Sequence, residues 1–128
     1  MIGYLNVNSL RNKISDLREI LYKAPIDILC IDETKLDSSF PNRQFHVPGY
    51  NFPPFRKDRN KFGGGKIVYI KEGIISKRIE DLEGVDMESI CIELVICNIK
   101  WCVLFVYRPP INKNKVFFLV VWILCSLN

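Results

Sequence analysis

Apolar residues in the first third of the chain form two short continuous runs with a helically spaced set between them. Residues 2–7 read as a short strand. Asn8 or Ser9 can then offer a side-chain oxygen to cap a helix whose apolar positions Leu10, Ile14, Leu17 and Leu21 recur along one face. Glu19 and Lys23 lie one turn apart as a supporting pair, and Pro25 stops the helix. Residues 26–31 are apolar except for Asp27, the pattern of a strand covered on both faces. Strand, helix and strand within about thirty residues predict a βαβ unit with parallel strands and a right-handed crossover. The carboxyl ends of the two strands then share one edge, where open α/β sheets tend to place ligands. That edge carries Asn6 and Asn8 from one strand and Asp32 and Glu33 from the other.

The pattern then changes. Residues 34–65 show little periodicity and hold Pro41, Pro48, Pro53 and Pro54, with six scattered aromatics: Phe40, Phe45, Tyr50, Phe52, Phe55 and Phe62. A long excursion with so many aromatic anchors reads as ordered surface structure, and loops of this length are usually functional. Gly63, Gly64 and Gly65 permit a sharp turn or a close backbone approach. A strand follows at residues 67–71, then a turn at Glu72-Gly73 and a poorly defined segment into an acidic patch. Residues 87–97 alternate strictly, with Ile90, Ile92, Leu94 and Ile96 on one face, and a turn at residues 98–100 leads into a strand at 101–107, predicting an antiparallel hairpin. Pro109 and Pro110 end that strand. Residues 116–127 are apolar at every position but Ser126, too short a run for the roughly 17–25 residues of a membrane-spanning helix.

Composition narrows the class. The chain has 128 residues, 48% hydrophobic and 25% charged, so it is globular rather than disordered and has the length of one domain. A net charge of +4 permits an anionic partner only if the charges cluster. They do so in RKDRNK, where Arg56, Lys57, Arg59 and Lys61 oppose one acid between Phe55 and Phe62; the group can track a nucleic-acid backbone or form an ordinary solvated loop. The five cysteines are odd in number, lack a CxxC pair and lie mostly in apolar runs, as expected for small buried hydrophobes in a reducing compartment. Asn6, Asn8 and Arg11 break up the N-terminal apolar run, so no signal peptide is indicated and a nuclear or cytoplasmic, non-secreted protein is expected.

One carboxylate beside a neutral amide can form half of a phosphoryl-transfer site, because Mg²⁺ takes oxygen ligands, keeps several waters and is often held by one or two carboxylates plus substrate phosphate. The plainer reading is that Asn8 caps a helix and Asp32 and Glu33 are a solvated pair after a strand.

Four stretches occur together and in order: LNVNSLRNKI, DILCIDETKL, FHVPGY followed by RKDRNKFGGGKIVYI, and FVYRPP. In them the chain resembles the N-terminal half of the endonuclease/exonuclease/phosphatase superfamily. It is most similar to the endonuclease domain of LINE- and Jockey-like non-LTR retrotransposons, which is related to apurinic endonucleases and pancreatic deoxyribonuclease. The resemblance implies part of a four-layer α/β sandwich of the deoxyribonuclease type, spanning residues 1–112 and containing the N-terminal βαβ unit and the later hairpin. It assigns Asn6 and Glu33 to a Mg²⁺ (or Mn²⁺) site and places Tyr107 near the scissile phosphate, where the alternative is a strand-end aromatic packed in the core. It also implies DNA as partner, no small-molecule cofactor and no membrane. Nucleases and phosphatases of the superfamily share Asn6 and Glu33, and the VYRPP and GGG surroundings favour a nuclease.

The departures from the family are as informative. Pro110 stands where repair-type relatives have an asparagine that contacts phosphate, and Lys66 stands where an apolar residue usually follows the glycines. The Asp-x-Asn motif that orients and deprotonates the attacking water, and the C-terminal Ser-Asp-His motif, have no counterpart here in the family's order. His46, the one histidine, has no catalytic role at its position in the family. General acid–base help is typically worth about 100- to 10,000-fold in rate, so unaided turnover is expected to be negligible. A lone half-domain would also expose a sheet face and unpaired edges, with self-association as a consequence. Residues 113–128 turn apolar where the retrotransposon relatives continue with polar, helix-forming sequence. They read as a frameshift, retained intron or truncation, the alternative being a genuine buried strand or helix.

Overall fold

The computed structural model describes residues 1–85 and 88–107 in full, and residues 108 and 117–127 as backbone. Pro109 and Pro110 lie outside the described residues. The chain divides into two units, Met1–Gly73 and Ile74–Asn128.

The first unit opens with β1 (Ile2–Asn6), α1 (Ile14–Lys23) and β2 (Ile28–Asp32), and β1 runs parallel to β2 as the βαβ reading predicts. β3 (Phe55–Lys57) and β4 (Lys66–Ile70) complete a four-stranded sheet of order β1-β2-β4-β3, in which β4 is antiparallel to both neighbours. Leu17 and Leu21 of α1 pack in one core cluster with Leu29, Ile31, Ile67 and Tyr69 of β2 and β4. Because side chains alternate across a strand, Cys30 and Asp32, with Val68 and Lys66 opposite them, occupy the other face. All five residues of β2 are buried, as its apolar run predicts, and so are all five of β4.

Lys66 breaks that apolar rule, and its register explains how. It is the Cα partner of Asp32, its ammonium donates to the Asp32 carboxylate, and both side chains are 0% exposed. A buried charge is tolerated when paired. Burial also raises the pKa of the neighbouring Cys30 thiol, which keeps it neutral.

The helix begins later than its apolar pattern. Lys13 occupies the N-cap without a side-chain cap bond, and Asn8 and Ser9, the expected caps, adopt positive φ of 45° and 85°. The amides of Ser9 and Leu10 are engaged instead by the carbonyls of Glu33 and Thr34, at 2.8 and 3.0 Å. Leu10 is fully buried although it precedes the helix. The Lys23–Glu19 pair forms as read, at 2.7 Å.

The aromatic excursion is ordered by its anchors. Phe45 and Tyr50 enter the core and Phe40 packs against it, while Phe52 and Phe62 stay exposed. The Tyr69 hydroxyl donates to the Phe45 carbonyl at 2.7 Å, and burial pushes its pKa up. Arg56 clips the loop together: its guanidinium donates to the Asp58 carboxylate at 2.8 and 2.9 Å and to the carbonyls of Phe40 and Asp37 at 2.6 and 2.8 Å. It also lies 5.4 Å from the Phe45 ring centroid.

The second unit is an antiparallel sheet, β5 (Ile75–Arg78), β6 (Glu88–Ile96), β7 (Ile99–Arg108) and β8 (Phe117–Leu127), in that order. The β6–β7 hairpin is antiparallel as predicted, but its turn lies at Cys97-Asn98 and not at residues 98–100, and the φ values of 52° and 62° there match a type I′ turn. Ile90, Ile92 and Leu94 are fully buried as their alternation requires, but Ile96 at the turn is 39% exposed. The apolar run at the end of the chain forms strand β8 rather than a helix. Among the described residues no helix is long and apolar enough to cross a membrane.

The buried pair makes a stability prediction. Lys66→Met leaves the Asp32 charge uncompensated and is expected to cost about 3–5 kcal/mol, whereas adding Asp32→Leu recovers most of the loss. Urea unfolding of the two variants measures the difference.

Candidate active site

Asn6 ends β1 and Asp32 ends β2, and the two are Cα partners in the parallel ladder, so Asn6 and Glu33 emerge on one edge of the first unit. The β2 chain does not leave the sheet there. On one side Val7, Ser9 and Leu10 donate their amides to the carbonyls of Asp32, Glu33 and Thr34, at 3.1, 2.8 and 3.0 Å. On the other, Thr34 and Lys35 donate to the carbonyls of Gly65 and Gly64, at 3.4 and 2.9 Å. Within this clamp Glu33 and Lys35 hold φ values of 56° and 53°, a left-handed conformation costing about 1–2 kcal/mol for an L residue. Such strain persists where the surroundings over-determine it, and it concentrates at functional sites.

Side chains complete the edge. Asn6 and Glu33 are both half-buried. The Asn6 Oδ1 accepts from the Asn8 amide at 3.2 Å, the Asn8 Oδ1 accepts from the Lys35 ammonium, and the Lys13 ammonium donates to the carbonyls of Val7 and Asn8. Of the two acids read as a solvated pair, Asp32 is withdrawn into its ion pair with Lys66, while Glu33 sits at the edge.

The three glycines provide both the turn and the close approach. Gly64 and Gly65 have φ of 63° and 92°, and a Cβ at Gly65 would lie 2.3 Å from the Thr34 Oγ1. Any side chain there would push on the residue next to Glu33.

The other residues singled out in the sequence are distributed unevenly. Lys57 is half-buried, Arg59 and Lys61 are exposed, and Arg56 is the internal clip described above. Asp58-Arg59-Asn60 has the spelling of Asp-x-Asn, but Asp58 pairs with Arg56, and the Asn60 Oδ1 accepts from the amides of Phe62 and Gly63 at 2.9 and 3.0 Å. It is a turn. Tyr107 belongs to the second unit, near the end of β7, and is 3% exposed. His46 is exposed, edge-on to Phe52 at 5.5 Å. Sequence reasoning missed Lys35 and Arg11. Arg11 donates to the Lys61 carbonyl at 2.7 Å and to the Ser9 hydroxyl at 3.3 Å, joining the two halves of the edge. Their only signal was membership of the LNVNSLRNKI and DETKL stretches.

Among the described residues no group of three or more His, Cys, Asp or Glu side chains could hold a metal. One carboxylate and one amide oxygen on a shared edge still suit a hard divalent cation that retains water and takes its remaining ligands from phosphate. Asn6 and Glu33 fit part of such a site.

A βαβ opening, two sheets and few helices define a mixed α/β protein. The family model for the Endonuclease/Exonuclease/phosphatase family matches residues 3–112, and the chain belongs to that family, whose members are generally divalent-metal dependent. Among solved structures, a 3′ phosphatase from Neisseria bound to a product DNA hairpin superposes with a TM-score of 0.51 at 19% identity, over 77% of this chain and 38% of that one. A 3′-5′ exonuclease from Neisseria meningitidis gives 0.48 at 22% identity, with the same 77% and 38% coverage. An AP endonuclease from Archaeoglobus fulgidus gives 0.49 at 26%, again over 77% and 38%. The chain thus spans well under half the length of these structures. No curated protein matches it.

The glycine clamp can be tested against an internal control. Gly73 has φ of 93° with open space around its Cβ position, so Gly73→Ala carries only the left-handed penalty. Gly65→Ala carries that penalty and the clash with Thr34, and is expected to be about 1–3 kcal/mol more destabilising. Parallel thermal and urea melts read the difference.

Proposed function

We propose that this chain is the metal-binding half of a Mg²⁺- or Mn²⁺-dependent phosphodiester-cleaving DNA endonuclease of retrotransposon type, with no or negligible turnover by itself. The observation that carries the reading is Glu33: a half-buried carboxylate held in a left-handed conformation beside Asn6, at the edge where this fold class binds ligands. In the complete domain Glu33 would ligate the cation, Asn6 would orient water or phosphate beside it, and Tyr107, whose role rests on the resemblance alone, would steady the phosphate. The cation would supply Lewis-acid activation of the phosphodiester. DNA as partner draws support from the similar structure described with a DNA hairpin and from the basic residues Lys57, at the end of β3, and Arg59 and Lys61, on the loop that leads to β4. Arg56, the fourth cation of the cluster, holds the loop's shape. Nuclear or cytoplasmic residence and self-association through an exposed sheet face belong to the same reading.

A second reading, a decayed element fragment that binds nucleic acid weakly without cleaving it, is favoured by the exposed Arg59 and Lys61. Mn²⁺ titration followed by water-proton relaxation tests the first: Glu33→Gln is expected to weaken binding at least about tenfold, as loss of a ligand does. Unchanged Mn²⁺ affinity would sink the metal-site assignment. Metal affinity separates the two readings: Mn²⁺ binding that is lost in Glu33→Gln excludes the decayed fragment, as would any plasmid nicking in Mg²⁺ abolished by the same substitution. Absent nicking, with salt-sensitive DNA binding lost on neutralising Lys57, Arg59 and Lys61 and no metal affinity, supports it.

A further inference from the structure

The least expected surface feature of the first unit is the hairpin tip at residues 60–63. Phe62 is 80% exposed, yet the backbone beneath it is tightly set: Asn60 and Gly63 form a β-bridge, and the Asn60 Oδ1 accepts from the amides of Phe62 and Gly63. Arg11 fixes the Lys61 carbonyl from outside at 2.7 Å. The Arg59 guanidinium lies over Gly63, where a Cβ would meet its Nη2 at 2.7 Å. A rigid tip that holds a large apolar ring in water loses free energy unless the ring meets a partner.

The surroundings indicate the partner's chemistry. The Lys61 ammonium sits 5.2 Å from the Phe62 ring centroid, covering one face. Arg59 and Lys61 are exposed beside it, and Arg11, stacked on Phe40, stands behind. Of the acids on the neighbouring loops, Asp58 pairs with Arg56, and Asp37 accepts from Ser39, whose bonds, helped by the charges of Lys61 and Arg11, hold its pKa below the usual value. An aromatic ring ringed by cations suits a ligand with flat faces joined by regularly spaced negative charges, which is an unpaired stretch of nucleic acid. The tip is also continuous with the candidate active site. Two residues after Phe62, the Gly64 carbonyl accepts from Lys35, in the clamp around Glu33.

We infer that Phe62 is a stacking wedge: its open face takes an unpaired or extruded base while Arg59 and Lys61 meet the flanking phosphates, registering a nucleic-acid strand relative to Glu33. The inference rests on the reading of the chain as a nucleic-acid enzyme module and names the residue that contacts bases.

The test compares, for the full chain in EDTA, binding to a single-stranded oligodeoxynucleotide and to a strand of equal length and charge made of abasic sugar phosphates. The parent is expected to prefer the base-bearing strand by about 5- to 100-fold, the range of one stacked base. Phe62→Ala removes the preference without changing the melting curve. Phe62→Trp keeps it and adds, to the emission of Trp101 and Trp122, a fluorescence component that is quenched on binding. Arg59→Gln with Lys61→Gln weakens both strands alike and flattens the salt dependence. The inference is overturned if the parent does not distinguish the strands, if Phe62→Ala retains the preference, or if Phe62 matters only for binding anionic lipid vesicles. With no metal present, these outcomes are independent of whether Glu33 binds a cation.

Discussion

The segment from Asp32 to Lys35 is bonded along its backbone from two directions at once, and most of the first unit follows from that. Residues 7–10 pair with it on the β1 side and Gly64 and Gly65 on the β4 side, so the sheet continues past the formal end of β2. A carboxylate placed there does not wander, because the conformation of Glu33 is imposed by its neighbours rather than chosen by its own preferences. The same demand draws Asn8 and Ser9 away from helix capping, delays α1 to Ile14, and leaves glycine as the residue that fits at position 65.

Charge in this protein divides into framework and surface, and sequence position does not show which is which. Arg56, Asp58, Asp32 and Lys66 looked as polar as their neighbours, but the first two lock a loop and the last two fill the interior of a sheet. Arg59 and Lys61, a few positions further on, are exposed. What marks the framework charges is how far they are buried, and the fork geometry of Arg56 lets one side chain satisfy two carbonyls and a carboxylate together.

The βαβ unit, the β6–β7 hairpin and the shared edge of Asn6 and Glu33 were legible because they rest on local periodicity: 3.6 for α1, continuous burial for β2, and 2 for β6. Other elements rest on pairing with distant strands. β3 and β5 are three and four residues long, with burial patterns too short to carry a period, and the apolar run at 117–127 reads equally as strand or helix until β7 supplies its ladder. The strain at Glu33 was invisible for a related reason: a left-handed glutamate is a property of the clamp and not of the residue. Arg11 and Lys35 sat in the recognised stretches, but their roles come from partners 50 and 27 positions away.

The pair formed by Lys66 and Asp32 bears on how such a domain changes over evolutionary time. Neither residue is tolerable without the other inside the sheet, while an apolar residue at position 66 alone, or a neutral one at 32 alone, passes through a damaged intermediate. The two positions are 34 apart in sequence and directly opposed in the fold, so they are coupled in their fitness effects. Recombination with a relative that breaks the chain anywhere between them separates the partners, and a graft of the Glu33 strand into another scaffold has to bring Lys66 with it.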